Sequence, residues 1–424
     1  MFSRIKTIFK SESVKAVGIY TFSNFFTKTI SFASLPVFTY LLTQKDFGII
    51  SLFSSSISLV MPFISLGLLY STSTDFFQME KKQFSSFIST TFPLPLISTV
   101  LAITALFIAF PYLEANFSFS PFFIWMIPAI AYCNFLYEQN LILIRNNNQP
   151  KKFLWLNIGK SILELGTALM LIALFYMGWE GRVWGIFVAC IFTGFFAVYY
   201  LSTNDYFSNT LNFSIVKREL VYSIPAIVTQ FSIFCLSASD RFFINYYYGE
   251  ERTGVYSLAA TFASIILILC TAILQYLFPR IYFELKNNVR ASSEIRRLFK
   301  KYVKMIVLGV IAIVVFSIVA YNTIIHPKFI TGLNYFFLLA VGNTLWCIAY
   351  FFYSFLMYYK AKRKILLVGI ATILVSVSFN SFFIRNYGEW GAAVSNICTY
   401  SVILTLVFFV SRKYFYKTTN ESSI

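Results

Sequence analysis

The sequence contains a single histidine, His326, in 424 residues, which leaves little material for catalytic or metal sites built on imidazole. Its six cysteines all lie in apolar stretches and form no CxxC pair, so they predict neither a zinc site nor a disulfide framework. Charged residues make up only 12% of the chain, against about 25% in soluble domains. We therefore expect an integral membrane protein without a metal site.

The sequence is dominated by long apolar runs. Runs of about 20 apolar residues, each long enough for a helix across a bilayer of about 30 Å, occur twelve times. The predicted spans are 15–42, 46–71, 84–110, 119–145, 151–177, 182–203, 218–240, 253–279, 302–325, 331–359, 364–385 and 390–411. The pattern predicts an all-α membrane fold of two six-helix bundles.

The predicted domains are an N-terminal lobe (1–203), a polar linker (204–217) and a C-terminal lobe with a basic tail (218–424). Shifting the chain by 206 residues places 47–52 (FGIISL) on 253–258 (TGVYSL), at the entry to the second helix of each lobe. Six helices per lobe is an even number, so the lobes share one orientation and form a parallel repeat. The alternative is that this short match is coincidental.

Lysine and arginine counts in alternate loops predict the orientation. If the N-terminus is cytoplasmic, that side holds 26 basic residues and the opposite side six, with Lys28 and Lys160 inside the membrane. Both termini are then cytoplasmic. The net charge of +17 is explained by this bias and by contact with anionic membrane lipids, and we expect no nucleic-acid partner.

The first span carries a lysine in its middle, which is costly in a bilayer unless the side chain faces protein or water. Asn24, Thr27, Lys28 and Ser31 recur at spacings of three and four residues, so one helical face is polar. The pattern is typical of a helix that lines a wet cavity. In the alternative interpretation, Lys28 pairs with a carboxylate on a neighbouring helix only to hold the bundle together.

Few other charges lie deep in the spans. The fourth span carries Asn134 and Glu138 on one face, and the fifth carries Asn157, Lys160 and Glu164. Lys160 and Glu164 are four residues apart, so they also fit a pair that neutralises itself. We predict a substrate cavity lined by Lys28, Asn24, Lys160, Asn157 and Asn134, with Glu138 and Glu164 as candidate coupling-ion sites.

The adjacent charges Asp240 and Arg241 close the seventh span near the predicted outer surface, where they form a candidate gate or interface. The equivalent of Lys28 in the repeat is Phe234, so the intramembrane lysine belongs to one lobe only.

Two segments resemble polysaccharide flippases of the Wzx type, whose superfamily includes the multidrug exporters of the MATE type and lipid II flippases. They are residues 34–48 (SLPVFTYLLTQKDFG), and residues 239–241 (SDR) followed by 254–257 (GVYS). The resemblance extends over essentially the whole chain.

The resemblance implies a transporter and not an enzyme. It implies movement of an undecaprenyl-pyrophosphate-linked oligosaccharide, such as an O-antigen or lipopolysaccharide repeat unit, to the outer leaflet of the bacterial inner membrane by alternating access. Basic cavity residues would hold the pyrophosphate, a role that Lys28 matches, and other polysaccharide assembly proteins would be partners. No cofactor is expected apart from a proton or sodium ion as the coupling ion.

Two other functions compete with this one. A drug or cation antiporter of the same fold would use cavity carboxylates, and Glu138 and Glu164 keep that alternative open. An integral-membrane glycosyltransferase or polymerase would need a large outer loop, and the longest predicted loop, about 280–301, is basic and cytoplasmic.

Overall fold

The computed structural model describes residues 12–114, 119–287 and 291–415. Throughout these ranges the regular structure is helical, and no strand occurs among the described residues. The first nine helices are α1 Glu12–Ala33, α2 Leu35–Leu41, α3 Gln44–Ser65, α4 Leu68–Gln78, α5 Lys81–Thr91, α6 Pro93–Glu114, α7 Pro121–Asn146, α8 Pro150–Phe175 and α9 Gly178–Thr203.

Six further helices follow a connection at 204–212. They are α10 Phe213–Ser237, α11 Ser239–Tyr248, α12 Glu250–Asn287, α13 Ala291–Thr323, α14 Gly332–Tyr358 and α15 Lys362–Phe415. A 3₁₀ turn, Pro327–Phe329, precedes α14. Helix α15 is two helices joined at Gly388, whose φ of 61° interrupts the helical backbone.

The twelve predicted spans all correspond to helices. Within the described ranges, nine stretches are long and apolar enough to cross a membrane, and the 51-residue stretch Lys362–Arg412 is long enough to cross twice. Helices α1 and α7 supply the other two crossings. These two helices carry Lys28 and Glu138 within their spans.

Several predicted spans are broken in the middle. The first divides at Ser34, two residues before Pro36, whose ring cannot continue the helical hydrogen-bond ladder. The second divides at Leu66 and Gly67, which have left-handed backbone with φ of 48° and 72°. The seventh divides at Ala238. Such breaks are tolerated in a membrane where packing satisfies the freed carbonyls.

The predicted loop at 280–301 is wrong for most of its length. Helix α12 extends to Asn287 and α13 begins at Ala291, with only 288–290 outside the described residues. Hydropathy finds the part of a helix that crosses the bilayer, but it does not detect the amphipathic turns that continue beyond the membrane surface.

The chain divides into two compact units. Unit 1 comprises Met1–Thr43 and Leu52–Ile227, and unit 2 comprises Gln44–Ser51 and Val228–Ile424. Helix α3 therefore begins in unit 2, and α10 begins in unit 1. The 204–212 connection packs on α5, where Ser85 Oγ donates to the Asp205 carbonyl and Ser86 Oγ to the Thr210 carbonyl, both at 2.7 Å.

In unit 2 the first turns of α3 and α12 meet at two glycines. A Cβ on Gly48 would overlap the Glu250 carbonyl oxygen, and a Cβ on Gly254 would overlap the Gln44 carbonyl oxygen. Gly48 and Gly254 are 206 residues apart, as are Gln44 and Glu250. The contact is therefore reciprocal between the two copies of the repeat, and only glycine fits at either position.

Candidate functional site

Unit 1 contains a polar cavity of about 390 Å³ between α1, α7 and α8. Its lining residues come from facing positions of these three helices: Asn24, Thr27, Lys28, Ser31, Tyr137, Glu138, Leu141, Ile142, Arg145, Phe153, Asn157, Lys160, Ser161 and Glu164. The structure thus brings the intramembrane charges of the three helices to one cavity.

Helix α1 presents its polar face to this cavity. The hydroxyls of Thr27 and Ser31 donate to the backbone carbonyls of Asn24 and Thr27, each at 3.0 Å, which satisfies them within the helix. The Lys28 side chain is exposed. Within the described part of the chain its ammonium makes no hydrogen bond or ion pair, so all three of its donors are available to a ligand.

Lys160 is held in place by its neighbours on α7. Its Nζ donates to Asn134 Oδ1 at 2.8 Å and lies 3.9 Å from the centre of the Tyr137 ring. Asn134 does not line the cavity but positions Lys160 from behind. A cation fixed by one amide and one aromatic face keeps donors free for an anion in the cavity.

A hydrogen-bond chain connects the three cavity helices. The Tyr137 hydroxyl donates to Asn157 Oδ1, and Asn157 Nδ2 donates to Asn24 Oδ1 at 3.2 Å. Asn157 is buried, whereas Asn24 is exposed. These hydrogen bonds hold together the three helices that carry the charged side chains of the cavity.

The two carboxylates of the cavity differ in their partners. Glu164 Oε1 accepts from Arg182 Nη2 at 2.8 Å, with both side chains mostly buried, so the alternative in which Glu164 pairs with Lys160 is not observed. Glu138 is exposed and makes no ion pair with any described residue, although Lys160, Arg145 and Lys28 all interact with its charge. The charge of Glu164 is thus balanced by Arg182, and Glu138 faces the three cations.

Arg145 is the functional candidate that the sequence analysis missed. It was counted only among the 26 basic residues of the predicted cytoplasmic side, but it lies in the last turn of α7 and lines the cavity. The available signal was its spacing, because Arg145 follows Glu138 by seven residues and so shares its helical face. Counting Arg145, the cavity holds three cations that form no ion pair with any described residue.

Asp240 and Arg241 lie in unit 2 and are not among the residues that line this cavity. Asp240 Oδ2 accepts from the Tyr256 hydroxyl at 2.6 Å, and its Oδ1 accepts from the Arg241 backbone N–H at 2.9 Å. Arg241 Nη1 donates to the Ser237 carbonyl at 2.9 Å. The two side chains therefore bond to separate partners at the α10–α11 break.

Phosphate chemistry suits the unit 1 cavity. Lysine and arginine donors bind phosphate oxygens by charge-assisted hydrogen bonds, while hydroxyl, amide and aromatic groups suit a polar organic moiety. Among the described residues, no three His, Cys, Asp or Glu side chains come together as a metal site would require.

A family model described as "polysaccharide biosynthesis protein" matches residues 13–282. No curated protein sequence matches the chain.

Several solved structures share the fold. A multidrug resistance MATE family transporter of the MOP superfamily, in an inward-facing conformation, has a TM-score of 0.68 at 14% identity, covering 92% of this chain and 96% of that one. The lipid II flippase MurJ, in an inward closed conformation, has a TM-score of 0.69 at 12% identity, covering 94% and 89%. A mutant of the Vibrio cholerae MATE transporter VcmN has a TM-score of 0.55 at 16% identity, covering 95% and 98%.

Proposed function

Because the chain belongs to the polysaccharide biosynthesis protein family, we propose that it is a flippase for an undecaprenyl-pyrophosphate-linked oligosaccharide in the bacterial inner membrane. The observation that carries the proposal is the cluster of Lys28, Arg145 and Lys160 in one cavity. These cations would hold the pyrophosphate while the sugar chain contacts the amide and hydroxyl wall. The polyprenyl tail would remain in lipid.

The charges of the cavity favour an anionic cargo over a drug cation. The cavity has three cations, and Glu138 is its one lining carboxylate that is not already balanced, since Arg182 balances Glu164. A cationic drug would meet net repulsion there, whereas a pyrophosphate gains a charge-assisted hydrogen bond from each cation.

The test is made in cells that depend on this protein for surface polysaccharide. Lys28→Ala and Arg145→Ala should each abolish export, with the lipid-linked oligosaccharide accumulating on the cytoplasmic leaflet. Removing one cation from a phosphate site costs at least about 2 kcal/mol, roughly thirtyfold in affinity. Lys28→Arg should keep part of the activity. The control is Lys82→Ala, which removes an exposed lysine that does not line the cavity.

Protein levels in the membrane separate lost binding from lost folding. Normal export by Lys28→Ala at a normal level would contradict the proposal. Loss of drug resistance with unchanged polysaccharide would favour the antiporter instead.

We propose Glu138 as the carboxylate that binds the coupling proton or sodium ion. Its side chain is exposed in the cavity without an ion pair among the described residues, while Glu164 is held by Arg182. A carboxylate drives the cycle only if its affinity for the ion differs between the two states of the carrier. Glu138→Gln should therefore abolish gradient-dependent transport in proteoliposomes but leave downhill exchange of substrate.

Glu164 has a separate test, since it remains the second coupling candidate. If it only balances Arg182, the double change Glu164→Ala with Arg182→Ala should recover the activity that either single change loses. A double variant that still lacks gradient-dependent transport would transfer the coupling role from Glu138 to Glu164.

A further inference from the structure

Helix α13 carries a row of basic side chains on one exposed face. Arg297, Lys300, Lys301 and Lys304 are all exposed and recur at the spacing of the helix. We refer to these four residues as the basic stripe. On the opposite side of the same turns, Ile295, Leu298, Tyr302 and Ile306 are buried in unit 2.

The same face becomes apolar directly after Lys304. Leu308, Ile311 and Val315 continue the stripe along the helix and are more than half exposed, as expected for side chains that face lipid tails. No charged residue occurs between Lys304 and the end of the helix at Thr323. The change from basic to apolar marks the membrane surface, so the basic stripe lies at the level of the lipid headgroups.

Within the described part of the chain, few acidic side chains lie close enough to neutralise the basic stripe. Arg297 has a solvent-exposed pair with Glu294 at 3.8 Å. Lys301 lies over the Tyr276 ring at 5.6 Å, which orients the amine but does not neutralise it. Lys300 and Lys304 have no carboxylate partner among the described residues.

We propose that the basic stripe binds the phosphate headgroups of anionic glycerophospholipids in the leaflet on the basic side of the membrane. Charge complementarity and the apolar continuation of the same face together fit a lipid, because both the headgroup and the tail find a matching surface. The stripe extends about 10 Å along the helix axis, which is long enough for more than one headgroup. This inference does not depend on the transported substrate.

The experiment measures which lipid stays with the purified protein. Wild type is equilibrated in micelles that contain phosphatidylglycerol and phosphatidylcholine in equal amounts, then washed, and both lipids are quantified per protein. We expect an excess of phosphatidylglycerol that falls at high salt. In the variant R297Q/K300Q/K301Q/K304Q this excess should fall at least fivefold, the effect of roughly one juxtamembrane cation.

Two further variants make the result specific. The control K82Q/K151Q/K360Q/R363Q removes four exposed cations from other parts of the chain and should keep the excess. The variant R297K/K300R/K301R/K304R keeps the charges and should also keep it. Equal melting temperatures in phosphatidylcholine alone establish that each variant is folded.

An unchanged phosphatidylglycerol excess in the glutamine variant would overturn the proposal, and so would an equal loss in the control. Displacement of the lipid by millimolar inorganic phosphate would assign the stripe to a free anion instead. Unchanged lipid retention combined with lost export in cells would assign it to an acidic protein partner.

Discussion

The two units place their polar side chains differently. In unit 1 the polar groups of α1, α7 and α8 surround a cavity of about 390 Å³. In unit 2 the polar groups near Asp240 surround a space of only about 10 Å³, enough for one water molecule. There the side chains form hydrogen bonds to one another. For example, Asn380 Nδ2 donates to Ser239 Oγ, and Asn380 Oδ1 accepts from Ser395 Oγ.

The repeat makes this difference informative. Lys28 on α1 corresponds to Phe234 on α10, which is buried with Phe231 and Phe242 around it at 5.6 and 6.0 Å between ring centres. One copy of the repeated helix has a charge at a polar cavity, and the other copy has an aromatic ring in a packed core. The duplicated architecture therefore does not require duplicated chemistry.

The largest effect is expected from exchanging these two residues. Lys28→Phe alone should abolish export by removing a cavity cation. Adding Phe234→Lys should not restore export, and it should also lower the protein level, because a buried lysine without a partner is strongly destabilising. Export assays and membrane immunoblots measure the two effects. Restored export in the double variant would mean that unit 2 offers an equivalent site.

A smaller effect, on stability, should distinguish two glycines of unit 2 from two glycines of unit 1. Gly48→Ala or Gly254→Ala places a methyl group against a backbone carbonyl, so α3 and α12 must separate. We expect a loss of about 1–3 kcal/mol in the free energy of unfolding, seen as a lower melting temperature.

The matched controls for this pair are Gly159→Ala and Gly166→Ala on α8 of unit 1. A Cβ at either position meets no atom within 4 Å. Both changes should be neutral or stabilising by up to about 1 kcal/mol, because alanine favours the helix. Equal destabilisation at all four glycines would show that the reciprocal contact has no special role.

The smallest effect concerns the buried hydrogen bond of unit 2. Asp240→Ala leaves the Tyr256 hydroxyl, which is fully buried, without that acceptor, at a cost of about 1–3 kcal/mol. Adding Tyr256→Phe should recover part of this stability. Export per folded molecule should remain near normal. Loss of export by Asp240→Asn at normal stability would instead give unit 2 a chemical role in transport.

The helices were largely predictable, because apolar runs of membrane length have few alternative structures. The breaks in the helices were less predictable, since Pro36 lies two residues from the break at Ser34, whereas the proline of α10, Pro225, lies 13 residues before the break at Ala238. The continuation of α12 and α13 beyond the membrane was missed because mean hydropathy does not detect amphipathic helical turns.

The charges of the cavity show the same limit. Lys28, Asn24, Asn157 and Lys160 line one cavity, and the helical period that places them on polar faces is what grouped them in the sequence. Arg145 and Arg182 lie at the ends of predicted spans and were counted only toward the orientation, since a count by sequence position does not measure where a side chain lies. The partner of Glu164 is on α9, and no spacing within α8 contains that information.

The exchange of segments between the units constrains how this protein can be divided. Residues 44–51 belong to unit 2 although they precede most of unit 1, and 213–227 belong to unit 1 although they open the second half of the chain. A cut in the 204–212 connection would leave each fragment without a segment that its own core uses. Each fragment therefore needs the other to supply a segment of its core, as each subunit does in a domain-swapped dimer.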